Sequence, residues 1–315
     1  MSFSKTEFTF VFIIGSPRSG TTVLGELLDK HEDISQWYEP YFIWDHYFRD
    51  RIHDERSAAD ATPKIRKQIY KNFIRYQKNS GSNVIVDKSP RNSLKIPFIR
   101  QIFPNARFIH LIRDGRDVTL SINKEWLRRK SIVQNNENKG GFDYNKAFAV
   151  INEWLGRQPF LIDKIRAFWF ETHGHIFNKS RHLNRLRWNG DVGWGPRFAG
   201  WEDIKRQTSL LQFNAYQWVR CVERIQKHWS DIPEEKKLEI HYEELTNEGE
   251  KKIEEILEFF GLKGSDRFYS TIPVLKKGNF NKWKKHFTPE QLNEVQEITG
   301  PKLMELGYKE GLNRI

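Results

Sequence analysis

Residues Gly15 to Thr22 read Gly-Ser-Pro-Arg-Ser-Gly-Thr-Thr, between an apolar run, Phe8 to Ile14, and a helical pattern marked by Leu24, Leu27 and Leu28. A buried strand, a tight turn and a helix start in series point backbone N–H groups and the positive end of a helix dipole at one small volume. That volume favours an anion of phosphate type. A nucleoside-triphosphate loop carries Gly-x4-Gly-Lys-Ser/Thr. Here Gly15 and Gly20 keep the spacing, but Thr21 stands where the lysine belongs and the cation sits inside the turn, at Arg18. Ser16, Pro17, Ser19 and Thr22 complete the cradle.

Four further blocks carry polar chemistry. Val84-Ile85-Val86 runs into Asp87-Lys88. Asp87 reads as a magnesium ligand only beside a loop lysine, which is missing; Lys88 reads as a cation at a strand end facing the cradle, or as a surface lysine. Phe108 to Ile112 ends in Arg113, and Ser121 lies on the helix that follows. An arginine with a nearby hydroxyl grips a second phosphate. His110, mid-strand, reads as a core residue. Val274 to Phe287 is a basic loop containing Lys276, Lys277 and Gly278, and a helix start follows at Thr288-Pro289-Glu290. Glu39, before Pro40, is a carboxylate among phosphate-binding cations, which suits a general base or a plain ion pair. His173 and His175 form a His-x-His pair without a matching third ligand, so no metal is expected.

These blocks sit at the ends of predicted elements. Phe8 to Ile14, Val84 to Val86, Phe108 to Ile112 and the weaker Leu238 to Tyr242 read as buried strands. Helical periodicity falls between them, at Ile65, Ile69 and Phe73, from Val118 to Ile122, from Ser209 to Trp229, and from Ile253 to Phe260 before Gly261. Alternating strands and helices predict an α/β fold: a central parallel sheet flanked by helices, three layers in all. Ligands of such sheets bind at the carboxyl ends of the strands, where Gly15, Lys88 and Arg113 fall. The chain of 315 residues reads as a single domain over 1–315 with an insertion at about 126–202, helical near 145–173. Its 52 Lys and Arg against 41 Asp and Glu give a net charge of +11, which suits anionic ligands without choosing among them. The lone Cys221 excludes an intrachain disulfide. With no signal peptide and no long apolar segment, a cytoplasmic protein without a transmembrane segment is expected.

Taken together, the blocks resemble the sulfotransferases that use 3′-phosphoadenosine-5′-phosphosulfate. Pro17-Arg-Ser-Gly-Thr-Thr22 resembles the 5′-phosphosulfate loop in the form seen in protein-tyrosine and carbohydrate sulfotransferases, and Arg113 with Ser121 resembles the 3′-phosphate motif. The 276–287 segment is similar to the Arg-Lys-Gly…Trp-Lys-x-His-Phe loop of the cytosolic enzymes, which implies that Lys276, Lys277 and Gly278 close over the 3′-phosphate. Tyr242, in His-Tyr-Glu-Glu-Leu, matches a Tyr-Glu-Asp-Leu pattern whose tyrosine touches adenine. The resemblance spans residues 8–122 and 236–306 and implies a P-loop-like fold. It also departs from the pattern. Lys88 replaces the catalytic histidine of the cytosolic small-molecule type, Val23 stands where they stack adenine on tryptophan, and Asn281 occupies a serine position of the tyrosine-protein type.

The resemblance implies a sulfuryl transfer to an acceptor hydroxyl, with Glu39 as base and Arg18 and Lys88 stabilising the leaving oxygen. The donor nucleotide, with adenosine 3′,5′-bisphosphate as product, is the expected cosubstrate, and no metal or specific nucleic acid is required. The acceptor reads as a carbohydrate or glycoconjugate if Trp188, Trp194 and Trp201 stack sugars beside Arg187 and Arg197; a phenol, a tyrosyl side chain or a natural-product alcohol is the alternative. Two other classes stay open. One is a P-loop-type kinase or nucleotidase using Asp87, the other a non-catalytic polyanion-binding protein using the basic loops.

Overall fold

The computed structural model describes residues 8–137, 157, 160–161, 163–165, 188, 193–273 and 275–308. Five parallel strands form one sheet in the order β2-β3-β1-β4-β5: β1 Thr9–Ile14, β2 Ile34–Tyr38, β3 Val84–Lys88, β4 Arg107–Ile112 and β5 Lys237–His241. Four of them are the expected strands; β2, at the sheet edge, was not foreseen. The register sets Ile13 of β1 beside Lys88 of β3 and Ile14 beside His110 of β4. Tyr38 of β2 lies beside Lys88. The carboxyl ends of β2, β3, β1 and β4 therefore line up along one rim.

Both faces of the sheet are dry, which is why its strands are nearly continuous apolar runs. Phe10 and Phe12 pack with Trp37, Phe73, Phe98 and Phe103 on one face. That face is covered by α3, Pro63–Ser80, and α4, Ile96–Ile102. Val11 and Ile13 point the other way, into a cluster with Leu24, Leu27 and Leu28 of α1, Thr21–Leu28. The three-layer α/β, P-loop-like architecture follows from this alternation. Between α1 and α3, α2 is a single turn, Tyr41–Trp44, that follows Glu39 and its N-cap Pro40.

The remaining helices build the wall beyond β4. α5 runs Gly115–Glu137, and α6, Trp201–Gln207, and α7, Leu210–Trp229, pack beside it. Ser209 opens α7 with a capping box to Gln212, which fixes its first turn. After β5 come α8, Tyr242–Asn247, α9, Gly249–Phe260, and α10, Asp266–Thr271. α11, Trp283–His286, falls inside the basic loop, and α12, Pro289–Glu305, starts at the expected Thr288 cap. Trp126, where the anticipated insertion starts, is a buried residue of α5. Of the helix expected near 145–173 only 157, 160–161 and 163–165 are described, with 161 and 163–165 helical; His173, His175 and Arg187 lie outside the described residues.

Candidate active site

The turn between β1 and α1 is tight because two glycines permit it. A Cβ on Gly15 would stand 2.5 Å from the Leu111 carbonyl oxygen, so this strand end can approach β4 only as glycine. Gly20 has a left-handed backbone, φ 99°, and a Cβ there would collide with the Tyr242 ring. As the N-cap of α1 it supplies no side-chain acceptor, so the first helical N–H groups keep their outward direction. Ser93, from the turn after β3, holds the loop's base: its Oγ accepts from Gly15 N–H at 3.0 Å and donates to the Gly15 carbonyl at 2.8 Å. Ser16, Ser19 and Thr21 are buried in the turn, and Ser19 Oγ has no hydrogen-bond partner among the described residues.

On one side of this turn, Lys88 and Glu39 meet. Lys88 Nζ donates to Glu39 Oε1 at 2.6 Å; the lysine side chain is fully buried, while a fifth of Glu39 stays open, at 20 % exposure. The ammonium also lies 3.8 Å from the centre of the Tyr38 ring. Burial pushes Lys88 below the ordinary lysine range, and Glu39 opposes that shift. The Tyr38 hydroxyl is bonded to Thr22 and Arg157, so the start of α1 and the ion pair share one tyrosine. Glu39 has φ 44°, and its carbonyl accepts from Tyr41 N–H at 2.7 Å.

On the other side stands Arg113. It donates to the Arg18 carbonyl at 3.1 Å and to the Asn279 carbonyl at 3.1 Å, lies 3.5 Å from Asp117, and stacks 4.3 Å over the Tyr242 ring. Its Nε is buried without a partner among the described residues. Arg18 turns its side chain to Ser121, 3.0 Å away, and so is not brought to the Glu39–Lys88 pair. Asn279 donates to the Tyr242 hydroxyl at 2.6 Å. Lys276, Lys277 and Gly278 form an exposed turn closed by Asn279 N–H on the Lys276 carbonyl at 3.3 Å. Partial burial, then Arg113, Lys276 and Lys124, push the Lys282 ammonium below its ordinary range, with Asp117 opposing. Lys124 and Lys282 are members of this cationic cluster that the motifs do not reveal. Among the described residues the non-glycine positions with positive φ are Arg18, Glu39 and Asn281, and all three lie at this rim. Such backbone strain gathers at working sites.

Other candidates fall elsewhere. Asp87 faces the opposite side of the sheet, where its carboxylate accepts from the Trp44 indole at 2.6 Å within the aromatic cluster. It is therefore no ligand for a metal in the cradle, and the kinase reading loses its residue. His110 is buried and bonded to Glu239 at 3.0 Å, as a core residue. Trp188 and Trp201 are buried against each other and Phe213, and Arg197 is buried against Asp54, so none of these offers an open surface to a sugar.

The Sulfotransferase family model matches residues 11–158 and 197–266, more than half of the chain and every strand of the sheet. The chain belongs to the sulfotransferase family. Protein-tyrosine sulfotransferase 1 of Danio rerio is 27% identical over 158 residues, covering 47% of this chain and 42% of that protein. Nodulation protein NoeE of Sinorhizobium fredii is 27% identical over 140 residues, covering 36% of this chain and 31% of that one. The aligned region thus spans less than half the length of these relatives. The fold is shared with the sulfotransferase domain from the curacin biosynthetic pathway, at TM-score 0.51 and 14% identity, covering 94% of this chain and 97% of that one. It is also shared with a sulfotransferase from Alicyclobacillus acidocaldarius, at TM-score 0.50 and 13% identity, covering 94% and 93%.

The residues present fit a sulfotransferase donor, a nucleotide anionic at both its 5′ and 3′ ends. The orphaned Ser19 hydroxyl and the uncapped start of α1 suit one anion; the unpartnered Arg113 Nε and the Arg18–Ser121–Lys282 cluster suit the other. Among the described residues no helix is long and apolar enough to cross a membrane.

Proposed function

We propose that this chain transfers a sulfuryl group from 3′-phosphoadenosine-5′-phosphosulfate to an acceptor hydroxyl. The observation that carries the reading is the pairing of the buried Lys88 with the partly open Glu39 beside the start of α1. The donor supplies an activated sulfuryl group, and its transfer, like phosphoryl transfer, is catalysed mainly by positioning and charge stabilisation. Residues 15–22 hold the 5′ end; Arg113, Ser121, Lys276, Lys277 and Gly278 hold the 3′-phosphate, with Tyr242 against the adenosine. Glu39, open on one side, takes the proton of the acceptor hydroxyl. Once protonated it no longer neutralises Lys88, whose full charge then faces the leaving oxygen at the moment negative charge develops there. Arg18 joins Lys88 when an anion in the cradle competes with Ser121 for its guanidinium.

The acceptor class follows from what the walls offer. Trp188 and Trp201 are buried and Trp194 is half-buried, which leaves little open tryptophan surface to favour a glycan acceptor. Tyr38 and Tyr41 flank Glu39 instead, and several aligned relatives are named protein-tyrosine sulfotransferases, so a phenolic hydroxyl is the acceptor we favour. The protein is taken to be cytoplasmic, with Cys221 as a buried free thiol. Incubation with labelled donor and a panel of tyrosyl peptides, simple phenols and oligosaccharides tests the assignment. Label on the phenols supports it; label on the oligosaccharides alone restores the glycan, and label on nothing sinks the transferase reading.

A further inference from the structure

We propose that Tyr308 is a positioning residue for the donor's 3′-phosphate subsite, acting through Glu243 and Asp114; the inference rests on the donor reading above. Tyr308 lies three residues past the end of α12, far in sequence from every motif of the site, and is buried. Its hydroxyl donates to Glu243 Oε2 at 2.9 Å and meets His241 Nδ1 at 3.1 Å. With the phenol donating to the carboxylate, the imidazole Nδ1–H donates to the phenol oxygen. The other oxygen of Glu243 accepts from the backbone N–H of Asp114 at 3.1 Å.

Asp114 is the corner between β4 and α5. Its carboxylate grips Arg116 through Nε at 3.0 Å and Nη2 at 2.7 Å and caps the Arg116 N–H at 2.9 Å. Arg116 in turn stacks 4.1 Å over the Trp283 ring, and the Trp283 backbone N–H donates to Asp117 Oδ1 at 3.0 Å. Arg113 is the residue before this corner, and Asp117 is its ion-pair partner. On the other flank, Glu243 follows Tyr242, whose ring abuts Gly20 and Arg113. One carboxylate therefore fixes both the corner that aims Arg113 and the helix start that carries Tyr242. The phenol hydroxyl of Tyr308 is what orients that carboxylate. A phenyl ring fills the same space against His241, so the hydroxyl is the part of the side chain whose role is positional rather than packing.

Calorimetric titration of wild type, Tyr308→Phe and Glu243→Gln with adenosine 3′,5′-bisphosphate and with adenosine 5′-monophosphate tests this, with melting curves beside it. Wild type should bind the bisphosphate. Tyr308→Phe should weaken that binding by about tenfold, as for loss of a hydrogen bond to a charged group, and leave the monophosphate within about twofold. Glu243→Gln should show the same selective loss, so that a poorly folding Tyr308→Phe does not decide the matter. A merely structural role lowers the melting temperature without moving the ratio of the two affinities; an unchanged ratio in a folded variant overturns the proposal. If wild type binds neither nucleotide, the donor reading fails first and takes this inference with it.

Discussion

At the scale of single residues, the site is a set of side chains made useful by environment. Glu39 and Lys88 would be an ordinary ion pair on a surface, worth little. Here the lysine is sealed, the carboxylate keeps one open side, and Tyr38 supports the ammonium. Replacing Glu39 by Gln should lower turnover by about 10²–10⁴, the range of a lost general base, while calorimetry finds donor affinity nearly unchanged. Equal losses in both would make Glu39 a binding residue instead. Arg113→Ala should weaken adenosine 3′,5′-bisphosphate roughly 10- to 100-fold, from the usual strength of a charged hydrogen bond, and hardly alter the 5′-monophosphate. Gly20→Ala places a methyl group against Tyr242 in a backbone conformation alanine avoids. A stability loss of about 1–3 kcal/mol and loss of donor binding should follow, read by urea denaturation and titration.

Elements decide which of those residues meet. The cradle was legible because glycine spacing, a strand run and leucine periodicity coincide in one short stretch. β2 was not, because Gln36 breaks its apolar alternation and Ser35 its bulk; yet this strand carries Glu39 to the rim. Ser93 was hidden for another reason: a lone serine gives no sequence signal that its hydroxyl will bind both backbone groups of Gly15. Lys124 and Lys282 likewise are two lysines among many until α5 and the 276–283 turn face each other. Asp87 shows strand alternation settling a choice that residue type left open. Its carboxyl is pushed up to about 6, first by burial, with the polar groups of Ser89, Trp44 and Asn92 and the Lys95 charge opposing. The folded state thus holds this proton more tightly than the unfolded chain does. Its contribution to stability is present in full below about pH 4 and is lost as pH rises through about 6. Asp54 acts in the opposite sense: burial opposes, but Arg197, Arg91 and Lys95 keep it below the usual carboxylate range. Comparison of wild type with Asp87→Asn cancels that second effect. The variant should gain on the wild type by on the order of 3 kcal/mol between pH 4 and pH 7, measured from urea midpoints; a pH-independent difference would place the ionisation elsewhere.

For the whole molecule, the relevant features are the sign of its charge and the convergence of distant segments. The net charge of +11 gave no choice of partner from the sequence; the fold gathers Arg18, Arg113, Lys124, Lys276 and Lys282 around one rim. A nucleotide anionic at both ends should therefore be steered there, with an association rate that falls as salt rises. Stopped-flow binding at low and high ionic strength would show that fall, and a flat response would mean the cluster does not guide the ligand. Acceptor recognition was least legible, since sugar stacking and core packing use the same tryptophans and only burial separates them. The central claim is the donor, and calorimetric titration with adenosine 3′,5′-bisphosphate beside ATP with magnesium tests it most directly. The account requires tight binding of the bisphosphate and weak binding of ATP. Preference for magnesium ATP, or binding of neither, would contradict it.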